Sequence, residues 1–348
     1  MSSAESLVLG LETTCDETGA AIVAGGRRVL SNVVWSQVAL HQRYGGVVPE
    51  IAARAHIESL NQIVDLALRD AGIKPRELSA ISVANSPGLI GCLLVGVSAA
   101  KGYAFAWEKS LVCVNHIHAH LYAAALLSAD QPPRALPELP ALGLIISGGH
   151  TTLYLIKDFN CMLRLGSTID DATGEAFDKV AAILQLGYPG GPVVDALACK
   201  GNPQAIDFPV SLLGKESLDF SFSGLKTAVL YHVNGRQGTE RSAAALGEAQ
   251  KADVAASFQR AVADALCAKV GRALESHGVK SLIVGGGVAA NSHIRSRLAQ
   301  VAKSVGIPLH LPTMNFCTDN AAMIAGLGAE LFSRGVQSSL DVGVVATA

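Results

Sequence analysis

At 348 residues, half of them hydrophobic and only 16% charged, the chain has the apolar material for two ordinary domains, which excludes wholesale disorder. A formal charge of −2 excludes a global electrostatic footprint for nucleic acid, so RNA binding has to rest on a local patch or on a partner's charges. Seven scattered cysteines, odd in number and without a Cys-x-x-Cys pair, indicate neither a disulfide framework nor a thiolate zinc site and fit a reducing cytosol.

Two strand-like runs come first, Leu7–Thr13 and Gly19–Val23, joined by the turn Thr14-Cys15-Asp16-Glu17-Thr18. No basic segment of the secretory kind precedes them. A third strand, Arg28–Trp35, is rich in β-branched residues. After Pro49 a helical pattern runs to about Ala71, closed by Gly72 and Pro75. Strand Leu78–Ala84 leads through Asn85-Ser86-Pro87-Gly88 into an apolar stretch ending at Trp107. Lys101 and the glycines set that stretch apart from a spanning helix, which needs about 20 charge-free residues, so it reads as a buried helix. Strand Leu111–Val114 ends this half.

A segment with four prolines, Gln131–Pro140, reads as a surface connection. The second half then starts as the first did: Leu142–Ile156 can be laid over Leu9–Val23 without a gap. Each is strand, small-polar turn and strand, and a third strand follows each (Cys161–Ile169 in the second case). An internal repeat constrains the whole fold. Two α/β lobes, each led by a β-hairpin, are the plan of the actin, sugar-kinase and heat-shock ATPase (ASKHA) superfamily. In that plan the two turns pinch a nucleotide's phosphates through backbone N–H groups. The expected division is residues 1–114 plus about 318–348 for the first lobe and 115–317 for the second, with nucleotide and metal sites at the cleft. Late in the chain a buried strand, Ser281–Val284, runs into Gly285-Gly286-Gly287 and a helix from about Asn291. The final helix, Thr318–Phe332, is expected to pack back on the first lobe.

Asn115-His116-Ile117-His118-Ala119-His120 is the first chemical signal. On a strand all three histidines share a face; on a helix only His116 and His120 do. Asn115 is a good N-cap and Leu121–Leu127 is Ala/Leu-rich, so the helix is preferred and His118 is a bystander. Imidazoles at that spacing suit Zn or Fe with a carboxylate to complete the site. Asp319, at the polar start of the last helix, is the candidate, and it would also serve there as a cap. A zincin protease needs Glu after the first histidine, where this chain has Ile117.

The second signal is glycine. Gly285-Gly286-Gly287-Val288-Ala289-Ala290-Asn291 permits close backbone approach to a base or ribose, and Ser147-Gly148-Gly149-His150 forms a phosphate-type turn. Asp178 and Asp195 are acceptors suited to ribose hydroxyls, or plain helix caps.

These segments together resemble the TsaD family. The similar motifs include Glu12-Thr13-Thr14-Cys15-Asp16-Glu17-Thr18, Tyr44-Gly45-Gly46-Val47-Val48-Pro49-Glu50, the histidine motif, Ser147–Thr151, Gly174–Lys179, Tyr188–Pro192, Phe220–Thr227, Gly286–Asn291 and Thr318–Met323. The resemblance implies transfer of the threonylcarbamoyl group of threonylcarbamoyl-AMP to N6 of adenosine 37 in tRNAs reading ANN codons, with release of AMP. It implies His116, His120 and Asp319 as ligands of one divalent metal, Fe(II) first and Zn(II) second. It implies that the intermediate contacts Ile145, Ile146, Ser147, Gly148, Gly149, Asp178, Gly191, Asp195 and Asn291. Asp16 or Glu17 is the candidate to orient the amine or accept its proton. A TsaB-like companion subunit, a TsaE-like ATPase, the tRNA anticodon loop and a cytoplasmic location complete the expectation, with no membrane partner. An ASKHA-type ATPase or small-molecule kinase is the alternative, and a metallo-endopeptidase a weaker one.

Overall fold

Two near-continuous runs of apolar and small residues at the start of the chain form a hairpin. Strands β1 (Leu7–Glu12) and β2 (Glu17–Ala24) pair antiparallel from Leu7↔Ala24 to Glu12↔Gly19. The computed structural model describes residues 5–44, 46–128, 131–132, 134–214, 216–235 and 242–347; Gly45 and Pro133, within two segments singled out above, lie outside them. Strand β3 (Arg28–Ser36) and the short α1 (Val38–His41) follow. Helix α2 (Pro49–Ala71) has proline in its first turn and ends on Gly72 at φ 67, the left-handed conformation that glycine adopts without strain. Next come β4 (Ala80–Ser86), α3 (Ile90–Ala106), β5 (Ser110–Asn115), α4 (His116–Tyr122) and β6 (Leu127–Ser128). The strands form one sheet in the order β5-β4-β1-β2-β3-β6.

The plan then repeats with β7 (Ala141–Ile146), β8 (Thr151–Asp158) and β9 (Cys161–Ser167). Helices α5 (Thr173–Leu184), α6 (Gly190–Ala198), α7 (Ser223–Asn234) and α8 (Glu248–Ser276) lead to β10 (Ser281–Gly285), α9 (Ser292–Val305) and β11 (Leu309–His310). This sheet runs β11-β10-β7-β8-β9. The last helix is α10 (Ala321–Ser333).

The two hairpins share one register. Glu12 pairs with Gly19 and Ile145 with Thr152, a displacement of 133 on both strands (145 − 12 and 152 − 19). Each hairpin's first strand also has a parallel neighbour on its other side, β4 for β1 and β10 for β7. The gapless repeat in the sequence is thus a repeat of strand pairing, and the α/β fold of two hairpin-led halves is as expected.

The compact units are Met1–Leu136 with Pro312–Ala348, and Pro137–Leu311. The first boundary falls later than the 114/115 division read from the sequence, and the second earlier than 317/318. The reason is packing. Helix α4 grows directly out of β5 and buries Ile117, Leu121 and Tyr122 within the first unit. Two arginines then hold the chain beyond it: Arg27 donates to the Ala125 and Arg134 carbonyls, and Arg134 to those of Ala124 and Leu126. Cations on the last carbonyls of a helical segment complement its dipole. Helix α10 closes the same unit, so close to the sheet that a Cβ at Gly10 would collide with the backbone of Ala321 and Ala325.

In the first unit an apolar core of Leu9, Leu11, Ile22, Ile81 and Val83 is covered by Leu60, Val64 and Val97 from α2 and α3. In the second, α8 sends Phe258, Val262, Leu266 and Val270 into a core with Leu142, Leu144 and Val284 of the sheet. Among the described residues no helix is long and apolar enough to cross a membrane.

Candidate functional site

The metal-type cluster lies wholly in the first unit. Asn115 Oδ1 accepts the N–H groups of Ile117 (2.8 Å) and His118 (3.1 Å), so β5 converts into α4 at the expected residue. The helix then stacks His116 and His120 on one face, ring centroids 4.7 Å apart and nearly perpendicular. Asp319 meets them from the turn before α10: its Oδ1 is 3.0 Å from His120 Nε2 and 3.6 Å from His116 Nε2. The three ligand atoms lie within 4.8 Å of one another, and His118 is not part of the group. The capping role considered for Asp319 belongs instead to Asn320, whose Oδ1 accepts the Met323 N–H at 3.0 Å. Asp319 is thereby available to the histidines.

The donor set fits a cation. In the neutral ring, with Nδ1–H donating to Glu12 Oε2 at 2.9 Å, the Nε2 lone pair of His116 faces Asp319 Oδ1 at 3.6 Å, an arrangement of acceptors suited to a cation. The other nitrogen of His120, Nδ1, is buried without a partner among the described residues. Glu12 was not singled out from the sequence. It is fully buried, and its Oε1 accepts the Thr14 N–H at 2.6 Å, so one carboxylate ties the acidic turn to His116. The signal was present in the strand pattern: a carboxylate ending an apolar run must find donors or a cation. Partners of this kind fix a ligand's tautomer and raise its basicity. Replacing Glu12 by Gln is expected to weaken Zn(II) binding by about 10- to 100-fold in competition with a chromophoric chelator; unchanged affinity would remove Glu12 from this role.

The same acids shape the titration. Burial pushes His116 down, but Glu12 and then Asp319 outweigh it and leave its pKa at about 9. Burial, then Asp319 and Asp16, push Glu17 up to about 9, with the Ser36 hydroxyl opposing. Burial, Asp16 and Asp319 likewise raise the Cys15 thiol. Both His116 and Glu17 bind their proton more tightly folded than unfolded. Their stabilising effect is complete below the unfolded values, 6.5 and 4.5, and is lost as pH rises through about 9. Metal-free protein should therefore lose roughly 3 kcal/mol from His116 alone between pH 6.5 and 9. Urea unfolding with chelator at both pH values measures this, and a flat profile contradicts it.

The acidic turn between β1 and β2 is held from two directions. Gln37 N–H donates to the Asp16 carbonyl at 2.9 Å, and Ser36 Oγ donates to Glu17 Oε1 at 3.2 Å.

The second unit gathers the nucleotide-type residues. In the β7–β8 turn Ser147 N–H donates to the His150 carbonyl (2.8 Å) and His150 N–H to Ser147 Oγ (3.2 Å). The first amides of α5 fasten the turn from behind, Gly174 N–H to the Ser147 carbonyl and Glu175 N–H to that of Gly148. A Cβ at Gly148, Gly149 or Gly191 would meet nothing within 4 Å, so open space surrounds all three. Gly286, at φ 92, brings the glycine-rich loop against the same turn, where a Cβ would strike the Ile146 carbonyl and Ser147.

Three other expected contacts are helix caps. Asp178 Oδ1 accepts the Gly190 N–H at the start of α6 (2.7 Å), and burial raises its pKa against the Gly190 and Gly191 amides. Asp195 accepts both the Ser292 N–H (3.1 Å) and its hydroxyl (2.9 Å). Asn291 caps α9 through Ile294 N–H (2.9 Å) and donates to Gln259 (2.8 Å). The cap reading and the ligand reading coexist only through oxygens left over, such as Asp178 Oδ2. Ile145 and Ile146 are fully buried strand residues, so a ligand meets only their backbone.

Comparison with known proteins fits this arrangement. The TsaD family, described as tRNA N6-adenosine threonylcarbamoyltransferase, matches residues 28–326. The protein of that description from Symbiobacterium thermophilum is 49% identical over 341 residues, 98% of this chain and 96% of its own. That from Thermomicrobium roseum is 47% identical, covering 97% and 95%, and that from Anaeromyxobacter dehalogenans 48%, covering 96% and 97%. Among solved structures, T. kodakarensis HypF superposes with a TM-score of 0.58 at 16% identity, over 96% of this chain and 48% of its own. Component A of the Acidaminococcus fermentans (R)-2-hydroxyglutaryl-CoA dehydratase gives 0.52 at 15% identity, over 94% and 99%. These two likenesses concern the fold alone. The kinship in sequence is close and nearly end to end, and the chain belongs to the TsaD family of tRNA N6-adenosine threonylcarbamoyltransferases.

Proposed function

We propose that the chain transfers the threonylcarbamoyl group of L-threonylcarbamoyl-AMP to N6 of adenosine 37 in tRNAs reading ANN codons, releasing AMP. The observation that carries this reading is the near-complete match to relatives of that named activity, at 47–49% identity. In the reaction the adenosine amine attacks the carbamoyl carbon, the N6–C bond forms, the bond from that carbon to the phosphate oxygen breaks, and one amine proton leaves.

The chain's residues divide these tasks. The N–H groups of Gly148 and Gly149, at a turn backed by the α5 N-terminus, suit the phosphate and developing negative charge. Asp178 and Asp195 suit the ribose, and Asn291 the base or ribose edge. A divalent metal on His116, His120 and Asp319, with Fe(II) and Zn(II) both matching the donors, would supply Lewis-acid stabilisation of the donor's oxygens. Glu17, with its pKa at about 9, keeps its proton at neutral pH. Asp16 is therefore the group that accepts the amine proton, and Glu17 orients it. The acceptor adenosine has to be unpaired, as in an anticodon loop.

A TsaB-like companion subunit is part of the proposal. Ile57 on α2 and Ile90, Leu94 and Phe105 on α3 are exposed, an apolar surface suited to a partner. A TsaE-like ATPase and a cytoplasmic location complete it. The ATPase or kinase alternative is weakened by the β1–β2 turn, where Asp16 offers phosphates a carboxylate rather than a donor. The endopeptidase alternative has buried Ile117 in place of its base.

The deciding experiment incubates the chain and its partner proteins with tRNA, threonine, bicarbonate and ATP, followed by nucleoside mass spectrometry. Threonylcarbamoyladenosine at position 37 is the expected product. Phosphate release without modified adenosine would overturn the assignment.

A further inference from the structure

The first unit buries a polar chain that the reaction outlined above does not use. His41, Gln37, His56 and Thr18 are each at most 1% exposed, on α1 and its N-cap, on α2 and on the hairpin. Buried polar groups are costly unless every one is satisfied, and none of these leaves an atom without a partner among the described residues.

The chain has a direction that its first donor sets. Val48 N–H, which can only donate, points at His41 Nδ1 (3.3 Å). His41 therefore carries its proton on Nε2 and donates to Gln37 Oε1 (3.1 Å). That fixes the Gln37 amide, whose Nε2 donates to His56 Nδ1 (3.3 Å). The Thr18 hydroxyl donates to the same nitrogen at 2.7 Å. His56 must then hold its proton on Nε2, and it donates to the Cys15 carbonyl at 2.9 Å. The last acceptor is the backbone of the acidic turn. The next carbonyl, Asp16, is held by the backbone N–H of Gln37 itself. Two consecutive carbonyls of that turn are thus pinned by one network, which starts in the Tyr44–Glu50 motif.

We propose that His56 is a positioning residue for the acidic turn: the one-way relay Val48–His41–Gln37–His56–Cys15 holds the turn's backbone so that Asp16 and Glu17 face the reacting amine. This rests on the reading of Asp16 and Glu17 given above. Burial lowers the His56 pKa, in keeping with an imidazole that stays neutral as the relay requires. The relay also links the loop before α2 to the turn, so displacing Val48 removes the donor that sets every later tautomer.

The test has a part that needs neither activity nor a variant. In nitrogen-15 histidine spectra of the full-length protein at neutral pH, His41 and His56 should both be neutral with the proton on Nε2. A proton on Nδ1 of either ring overturns the relay. The second part uses His56→Gln, which keeps a donor near the Cys15 carbonyl, and His56→Leu, which does not. With the partner proteins present, His56→Leu should lower kcat by up to about a hundredfold with KM and metal content unchanged, and His56→Gln should recover part of it. Equal kcat in both variants and wild type overturns the positioning role. If wild type itself does not modify adenosine, the functional reading fails while the tautomers still report on the relay. Gln37→Leu, on another element, gives the same kcat comparison should His56→Leu not fold.

Discussion

Replacing Asp319 by alanine is expected to abolish stoichiometric metal binding and to lower adenosine modification about a thousandfold. Among the described residues Asp319 Oδ1 is the carboxylate oxygen facing both Nε2 nitrogens, at 3.0 and 3.6 Å, so its loss leaves only two imidazole nitrogens to hold a cation. Two nitrogens on one face of a helix do not close a site for Fe(II) or Zn(II). A bound cation stabilises charge in the transition state by several kcal/mol, and each 1.36 kcal/mol is a factor of ten in rate. Metal analysis of anaerobically purified protein, read with single-turnover transfer, checks both halves. Full activity in a metal-free Asp319→Ala protein would remove the metal from the reaction.

Asp16→Asn should lower single-turnover transfer by about 10²–10⁴-fold, the usual worth of a positioned general base. The amide keeps the size of the side chain and the Gln37 contact, which goes to the Asp16 backbone carbonyl. Metal content and folding should therefore be unchanged, and the loss should appear in the chemical step. Unchanged single-turnover transfer would hand the proton to another group.

Much of this was legible in the sequence because it is local. The hairpin repeat survives as matching registers, since two strand–turn–strand segments of equal length that overlay without a gap pair at the same positions. The His116 and His120 pair was readable because an N-cap and helical spacing sit in six consecutive residues. What stayed hidden depends on distant partners. Asp319 and Asn320 both suit a helix start, and only the packing of α10 assigns the cap to Asn320. Asp178 and Asp195 looked like ribose acceptors, yet each also caps a helix beginning 12 or 97 residues further on. The compact units divide at 136/137 and 311/312 rather than at the positions read from the sequence, since nothing local shows that α4 stays with the strand it grows from. The relay spans Gln37, His41 and His56, residues with no motif spacing, so a sequence offers no reason to connect them.

The interrupted course of the first unit has a consequence for biosynthesis. The partners His120 and Asp319 stand 199 residues apart in the chain, with the whole second unit between them. As the nascent chain leaves the ribosome, the second unit is complete once Leu311 has emerged and can fold from its own contiguous contacts. The first unit still lacks α10, the helix against which Gly10 packs, and the carboxylate that completes the ligand set. Non-local contacts of this kind form more slowly than local ones. A chain arrested before Asp319 therefore carries both histidines without the carboxylate that faces them.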